Sequence, residues 1–534
     1  MTEPTPSPAP ERTGRFAAVI AGGILLSRIA GLVRLRALAH FFGTTAAADA
    51  VSAALRIPNF LQNLFGEGAL SASFIPAYAR LRAQGDDEGA RRLAAAVFAL
   101  LAALMAALVL MGVAGAPWLV RVLTPGFDAE RRALTVQLVR IMFPGVGLLA
   151  LSAWCLGVLN SHRRFFLSYA SPVLWNAAII GALFAGAASR SGARLAIWVA
   201  IGAVVGSVLQ FAVQLPRALG LARPLWGSFA TGDSGALRGV IRNFGPAFLG
   251  RGVVQISAFV DQSVASLLPI GSLTALANAQ MIFTLPVSLF GMSVAAAELP
   301  AMSGVAAGPD PTAALRDRVD AGLARVAFFT VPSAIGMLAH GDVMAAALLQ
   351  TGAFRRADAI WVWGILAAAS IGLVSTTSAR LYSSVLYALH DTRTPLRYAC
   401  VRIALSVALA LPLALWLPER LGIEPRWGVA GITLASALAG WLEWWLLRRA
   451  TIRRLGPVRM GGRVLGALVI AALAGALIAW GVRFALPPLP PVVRAIPVLG
   501  LFALSYGVVA LALGVAPARR VYDALQRRIR ARLV

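Results

Sequence analysis

The 534-residue chain contains no lysine, two cysteines, four histidines and only 13% charged residues. Without lysine there can be no GxxxxGK[ST] loop, so a P-loop ATP site is excluded. Cys155 and Cys400 lie in separate apolar stretches, which excludes a disulfide framework or a cysteine metal site. The histidines, at 40, 162, 340 and 390, are too dispersed for a metal cluster, and neither metal nor cofactor is assigned. A soluble domain carries about 25% charged residues, so the scarcity of charge argues against a water-soluble domain. Disorder needs low hydrophobicity, and this chain is 59% hydrophobic. A membrane barrel needs period-two alternation, whereas these segments are apolar on every side.

What is abundant is long apolar sequence. Ala94–Val113, Val199–Val213, Ile403–Trp416 and Val464–Trp480 are four such runs among many, and a helix of about 20 residues crosses a hydrocarbon core. The reading is an all-α polytopic membrane protein with about 14 transmembrane helices. The net charge is +26, and arginines cluster in Arg80–Arg92, Arg448–Arg463 and Arg519–Arg532, the asymmetry expected of cytoplasmic loops. Both termini are therefore expected in the cytoplasm. Anionic lipid, rather than nucleic acid, is the expected partner of that charge. The Pro-rich segment at 1–15 reads as a retained cytoplasmic tail rather than a signal peptide. Residues 517–534 space Val521, Leu525, Ile529 and Leu533 by four, as in an amphipathic helix on the inner leaflet.

The spans carry signs of duplication. Gly43 precedes Pro58 by the same interval as Gly271 precedes Pro286, and Asn160-Ser161-His162-Arg163 resembles His390-Asp391-Thr392-Arg393. Six spans plus six leave two over. The expected layout is an N-lobe at 16–225, a C-lobe at 226–450 and a final helix pair at 451–516. Such repeats are a transporter habit, with the substrate held where the repeats meet.

Ionisable groups in a membrane cost roughly 3 kcal/mol or more each at the helix centre, so they mark cavities or ion pairs. Arg28, Arg34, Arg36, Arg56, Arg140, Arg251, Arg380 and Arg402 fall in or near spans and outnumber the carboxylates there, Asp49, Glu67, Asp261, Glu298 and Glu443. An excess of fixed positive charge points to an anionic guest, and guanidinium holds phosphate in a bidentate fork without deprotonating. Asp49, Arg56, Asn63 and Glu67 follow one another at seven, seven and four residues, which places them on one stripe of a helix. The alternative for Asp49 and Arg56 is an internal ion pair. Asp261 and Glu298 are either coupling-ion ligands or partners of Arg251.

Ser27-Arg28-Ile29-Ala30-Gly31-Leu32-Val33-Arg34, Ala48-Asp49-Ala50 and Ile57-Pro58-Asn59-Phe60 are similar to the MurJ (MviN) family. Asn63 to Ser71, Pro125-Gly126-Phe127, Asn243-Phe244-Gly245-Pro246 and Asp391-Thr392-Arg393-Thr394-Pro395 extend the resemblance along essentially the whole chain. It implies lipid II flippases of the multidrug/oligosaccharidyl-lipid/polysaccharide exporter superfamily, which act in peptidoglycan and cell-wall biogenesis at the inner membrane. It also implies two six-helix lobes around a V-shaped cavity and a final helix pair forming a groove for the lipid tail. Arg28, Arg34, Asp49, Glu67 and Arg380 match the family's charged positions. Leu35, Gln62 and Met281 depart from it, each standing where the family commonly has a charge.

The expected activity is therefore transfer of lipid II across the membrane by alternating access, with Arg28 and Arg34 on the pyrophosphate and Arg56 and Asn63 extending the polar wall. Membrane potential or a cation gradient would drive it, and wall-synthesis or division proteins are candidate partners. A flippase for another polyprenyl-pyrophosphate-linked oligosaccharide stays open because of Gln62 and Met281. Two rivals of other classes are a membrane enzyme, with magnesium on Asp86-Asp87-Glu88, and a wall-synthesis scaffold.

Overall fold

The computed structural model describes residues 10–62, 70–189, 191–225, 234–306, 311–458 and 462–533. Every regular element among them is helical, as lipid requires of any span that must satisfy its own backbone. The chain divides into two compact units, residues 1–263 and 264–534.

The first unit contains α1 (Pro10–Phe42), α2 (Ala46–Gln62), α3 (Ser71–Ala83), α4 (Asp87–Ala114), α5 (Ala116–Leu123), α6 (Ala129–Ser161), α7 (Phe165–Ala170), α8 (Pro172–Ala185), α9 (Gly192–Ala222) and most of α10 (Ser234–Ser266). The second contains α11 (Ser272–Pro286), α12 (Ser293–Ala306), α13 (Pro311–Leu349), α14 (Arg356–Ser370), α15 (Leu373–Ala388), α16 (Arg393–Leu411), α17 (Leu417–Arg420), α18 (Gly428–Leu455), α19 (Gly462–Ala485), α20 (Pro491–Ala512) and α21 (Ala516–Leu533).

Ten of the described helical segments are long and apolar enough to cross a membrane, or eleven when the pair α14 and α15, bent by 42°, counts as one. The remaining long helices of the expected set, α1, α2 and α10, carry Arg28, Arg34, Arg36, Asp49, Arg56, Arg251 and Asp261. These three helices thus carry most of the candidate site charges of the first unit. The expected fifth span divides at Ser171 into α7 and α8. The ninth continues to Leu349 through a break in helical geometry at His340. Asp86-Asp87-Glu88 opens α4: Asp86 accepts a hydrogen bond from the Gly89 amide at 2.7 Å, and Glu88 pairs with Arg92 one turn on.

Backbone geometry repeats between the units at a nearly constant interval. Gly43 and Gly271, at φ 57° and 90°, adopt left-handed turns before α2 and α11, a conformation that suits glycine. Phe127 and Phe354 each donate a backbone hydrogen bond to the threonine three residues back, at 3.2 and 3.0 Å. Asp128 and Arg355 then stand at the N-caps of α6 and α14. Arg163 and His390 share φ 58° and 59°. The amides that follow them, of Arg164 and Asp391, bond to Leu159 and Leu386 oxygens at 2.8 Å in each case. The geometry therefore aligns His390 with Arg163, three residues beyond the match that residue types alone suggest.

Proline and glycine set the crossings that position the charges. After Pro286 and from Pro412 the helix widens into π turns, Val287–Met292 and Pro412–Trp416, because proline supplies no N–H and crowds the preceding turn. Gly431 lets α18 meet the second of these: a Cβ there would lie 2.1 Å from the Leu413 oxygen. In α19, Ala471, Ala472, Gly475, Ala476 and Ala479 form a small-residue face against α13 and α20, the usual way for helices to associate closely in lipid. Leu477, Phe484, Ile496, Leu504 and Val508 project outward, as expected of side chains whose solvent is hydrocarbon.

Candidate functional site

α1 packs on α7 and α8. Gly23 permits the contact, since a Cβ there would fall 2.9 Å from the Tyr169 Cβ. One turn on, Ser27 and Arg28 enter the wall of a cavity of about 250 Å³, shared with Ser152 of α6, Ser168 of α7, and Gln210 and Gln214 of α9. The neutral groups are hydrogen-bonded in series. Gln210 Nε2 donates to Ser152 Oγ at 3.4 Å, Ser152 Oγ to Gln214 Oε1 at 2.9 Å, and Gln214 Nε2 to Ser171 Oγ. Among the described residues, no carboxylate lines this cavity.

Arg34 follows on the same helix. Its guanidinium carbon lies 4.7 Å from the centre of the Trp175 ring, a cation–π contact. The Trp175 indole is fixed in turn by donating to the Ala203 oxygen at 3.1 Å.

The other candidates have partners from distant parts of the chain. Asp49 is 1% exposed and lies 3.7 Å from Arg131 Nη1. Arg131 also bonds Asp128 at 2.6 Å and stacks on Phe127. Asp128, ahead of α6, is held below the usual carboxylate range, first by the Arg131 backbone N–H and then by the Arg131 side chain. Arg56 lies within electrostatic reach of Asp261. Seven-residue spacing on one helix face thus does not make Asp49 and Arg56 each other's sole partners.

In the second unit, Glu298 is 3% exposed and enclosed by Arg318, at 2.9 Å, and Arg325. Arg380 shares its surroundings with Glu443 and Arg402, which are themselves paired at 3.0 Å. Arg251 lies on α10. Asn63 and Glu67 lie outside the described residues.

Reading charges alone missed Ser152, Ser168, Gln210 and Gln214. The available signal was Gln210 and Gln214 four apart in an otherwise apolar helix, since a polar side chain in lipid needs a partner.

Residues 38–492 match the sequence profile of the family described as Lipid II flippase MurJ. The chain belongs to the MurJ family. It is a multi-pass membrane protein of a transporter family, not an enzyme. Among MurJ relatives, a Burkholderia cenocepacia protein named lipid II flippase MurJ is 31% identical, over 85% of this chain and 87% of its own. A Rhizobium tropici protein, named a probable lipid II flippase MurJ, is 32% identical over 83% and 85%. In fold, the chain is similar to a lipid II flippase MurJ solved in an inward closed conformation, with TM-score 0.76, 22% identity and coverage of 93% and 99%. It is also similar to an inward-facing multidrug resistance MATE family transporter of the MOP superfamily, with TM-score 0.66, 16% identity and coverage of 79% and 95%.

Proposed function

We propose that this MurJ family member moves lipid II from the cytoplasmic to the periplasmic leaflet of the inner membrane by alternating access. Arg28 and Arg34 would receive the pyrophosphate, and Arg56 and Asn63 would extend the polar wall. The observation that carries this reading is the Arg28 cavity, which joins a guanidinium to neutral donors without a lining carboxylate. A cationic cargo would favour acidic walls instead. Family membership supports lipid II as the cargo, and the likeness to MATE transporters supports alternating access. With more fixed positive than negative charge among the candidate residues, the membrane potential or a cation gradient is the proposed drive, and both termini are proposed to face the cytoplasm.

The test is replacement of the resident flippase in a depleted bacterium, scored by the accessibility of lipid II at the outer leaflet. The expected result is restored accessibility that Arg28→Ala abolishes. Failure of a folded, membrane-inserted protein to rescue would favour another polyprenyl-pyrophosphate-linked saccharide. That second reading draws on Gln62 and Met281, which stand where the family commonly has charge.

A further inference from the structure

The cavity beside Arg28 has more hydrogen-bond donors than acceptors. Its neutral side chains bond first to one another, from Gln210 through Ser152 and Gln214 to Ser171. Ser171 Oγ in turn donates to the Ser168 carbonyl at 3.4 Å. The series stops there. Ser168 is 2% exposed, lines the cavity, and its own hydroxyl has no partner. Arg28 reaches the same space from the opposite helix. A buried hydroxyl without a partner destabilises a fold, as does a guanidinium with no counter-charge in a membrane. A guest that only accepts hydrogen bonds and carries negative charge would satisfy both groups.

We propose that this cavity binds one phosphate-sized anion, held by Arg28 and Ser168 and oriented by the Gln210–Ser152–Gln214 series. Size narrows the class of guest. The volume of about 250 Å³ lies below the roughly 300–1,000 Å³ of sites that enclose drug-sized ligands. A phosphate or pyrophosphate group fits, and a disaccharide-peptide headgroup must stay outside. Two sources share this chemistry: the phosphate of a polyprenyl-linked substrate, an assignment that rests on the transport reading above, and free inorganic phosphate or pyrophosphate.

The experiment is thermal unfolding of the purified full chain in detergent with inorganic pyrophosphate, against potassium gluconate at equal ionic strength. Pyrophosphate should raise the melting temperature beyond the gluconate control. Ser168→Ala should weaken pyrophosphate binding about tenfold, the scale of one hydrogen bond to a charged group, and Arg28→Gln should weaken it further. Without anion, Ser168→Ala should melt no lower than the parent, because the lost hydroxyl had no partner. A purely structural serine would give the opposite sign. The proposal is overturned by no pyrophosphate-specific increment in the parent, by an unchanged increment in Ser168→Ala, or by a lower melting temperature of that variant without anion. Displacement of labelled pyrophosphate by lipid II identifies the substrate's phosphate as the guest. Lipid II binding without displacement identifies a free anion, and the site then stands while its link to transport fails.

Discussion

The arginines of α1 and those around Glu443 and Glu298 have different surroundings. In the first unit, Arg28 lines a cavity together with serine and glutamine side chains, and Arg34 meets the face of Trp175. In the second, Glu443 faces both Arg380 and Arg402, and Glu298 sits between Arg318 and Arg325. Paired charges have much of their attraction already satisfied inside the fold, whereas a guanidinium among neutral donors keeps its attraction for a guest. The comparison teaches that counting arginines does not locate an anion site. The proposed site rests instead on surroundings that leave Arg28 among neutral side chains.

The largest break in this comparison should come from Arg28→Glu. It places a carboxylate against the neutral donors, and lipid II accessibility at the outer leaflet should fall at least about 100-fold at unchanged membrane abundance, since one to two charged contacts are lost. Glu298→Gln should have the next effect, on stability, by removing the charge that two guanidinium groups share. Breaking a buried pair from one side costs about 3–5 kcal/mol. The half-exposed arginines here reduce that to about 2 kcal/mol, read as a lower melting temperature. Glu443→Gln would make the second unit resemble the first. It should cost about 1 kcal/mol, a typical value for one lost hydrogen bond, and leave inorganic pyrophosphate binding measured by calorimetry unchanged, since the Arg28 cavity lies in the first unit.

The smallest effect is a difference in acid sensitivity between the two matched turns. His162 Nε2 lies 3.1 Å from the Tyr78 hydroxyl, and burial, with Arg82 and Arg164 nearby, pushes its pKa from 6.5 down to about 4. Its contribution is therefore full above pH 6.5 and lost as pH falls through 4. Asp391, in the corresponding turn, accepts from the Thr394 hydroxyl and amide and from Arg454, which hold it below its ordinary 3.8. Its contribution persists until pH falls through that lower value. Hydrogen exchange between pH 7 and 4 should loosen residues 159–164 before 386–391, and His162→Gln should remove the difference.

Much of the fold was legible without coordinates. Apolar runs of near-membrane length marked the spans because hydrocarbon leaves a helix no other way to satisfy its backbone. Gly43 with Pro58 and Gly271 with Pro286 exposed the repeat, since turns and bends depend on local residue types. The last repeat match was displaced by three residues because Arg163 and His390 share a backbone conformation, not a side-chain type. The charged stretch around Arg28 and Arg34 also identified the family resemblance.

Partnership among the charges was a different matter. Helical spacing put Asp49 and Arg56 on one stripe, but it could not show that Asp49 also meets Arg131 or that Arg56 lies within electrostatic reach of Asp261. Ser168 and Gln214 looked unremarkable until α7 and α9 lined one cavity. The sequence by itself determined that the chain spans a membrane, where its costly charges lie and which family it belongs to, because hydrophobicity and local motifs act along the chain. Only the tertiary structure decided which charges pair with which. Ion pairing depends on distances of a few ångströms between helices far apart in sequence, and no spacing within one helix encodes them.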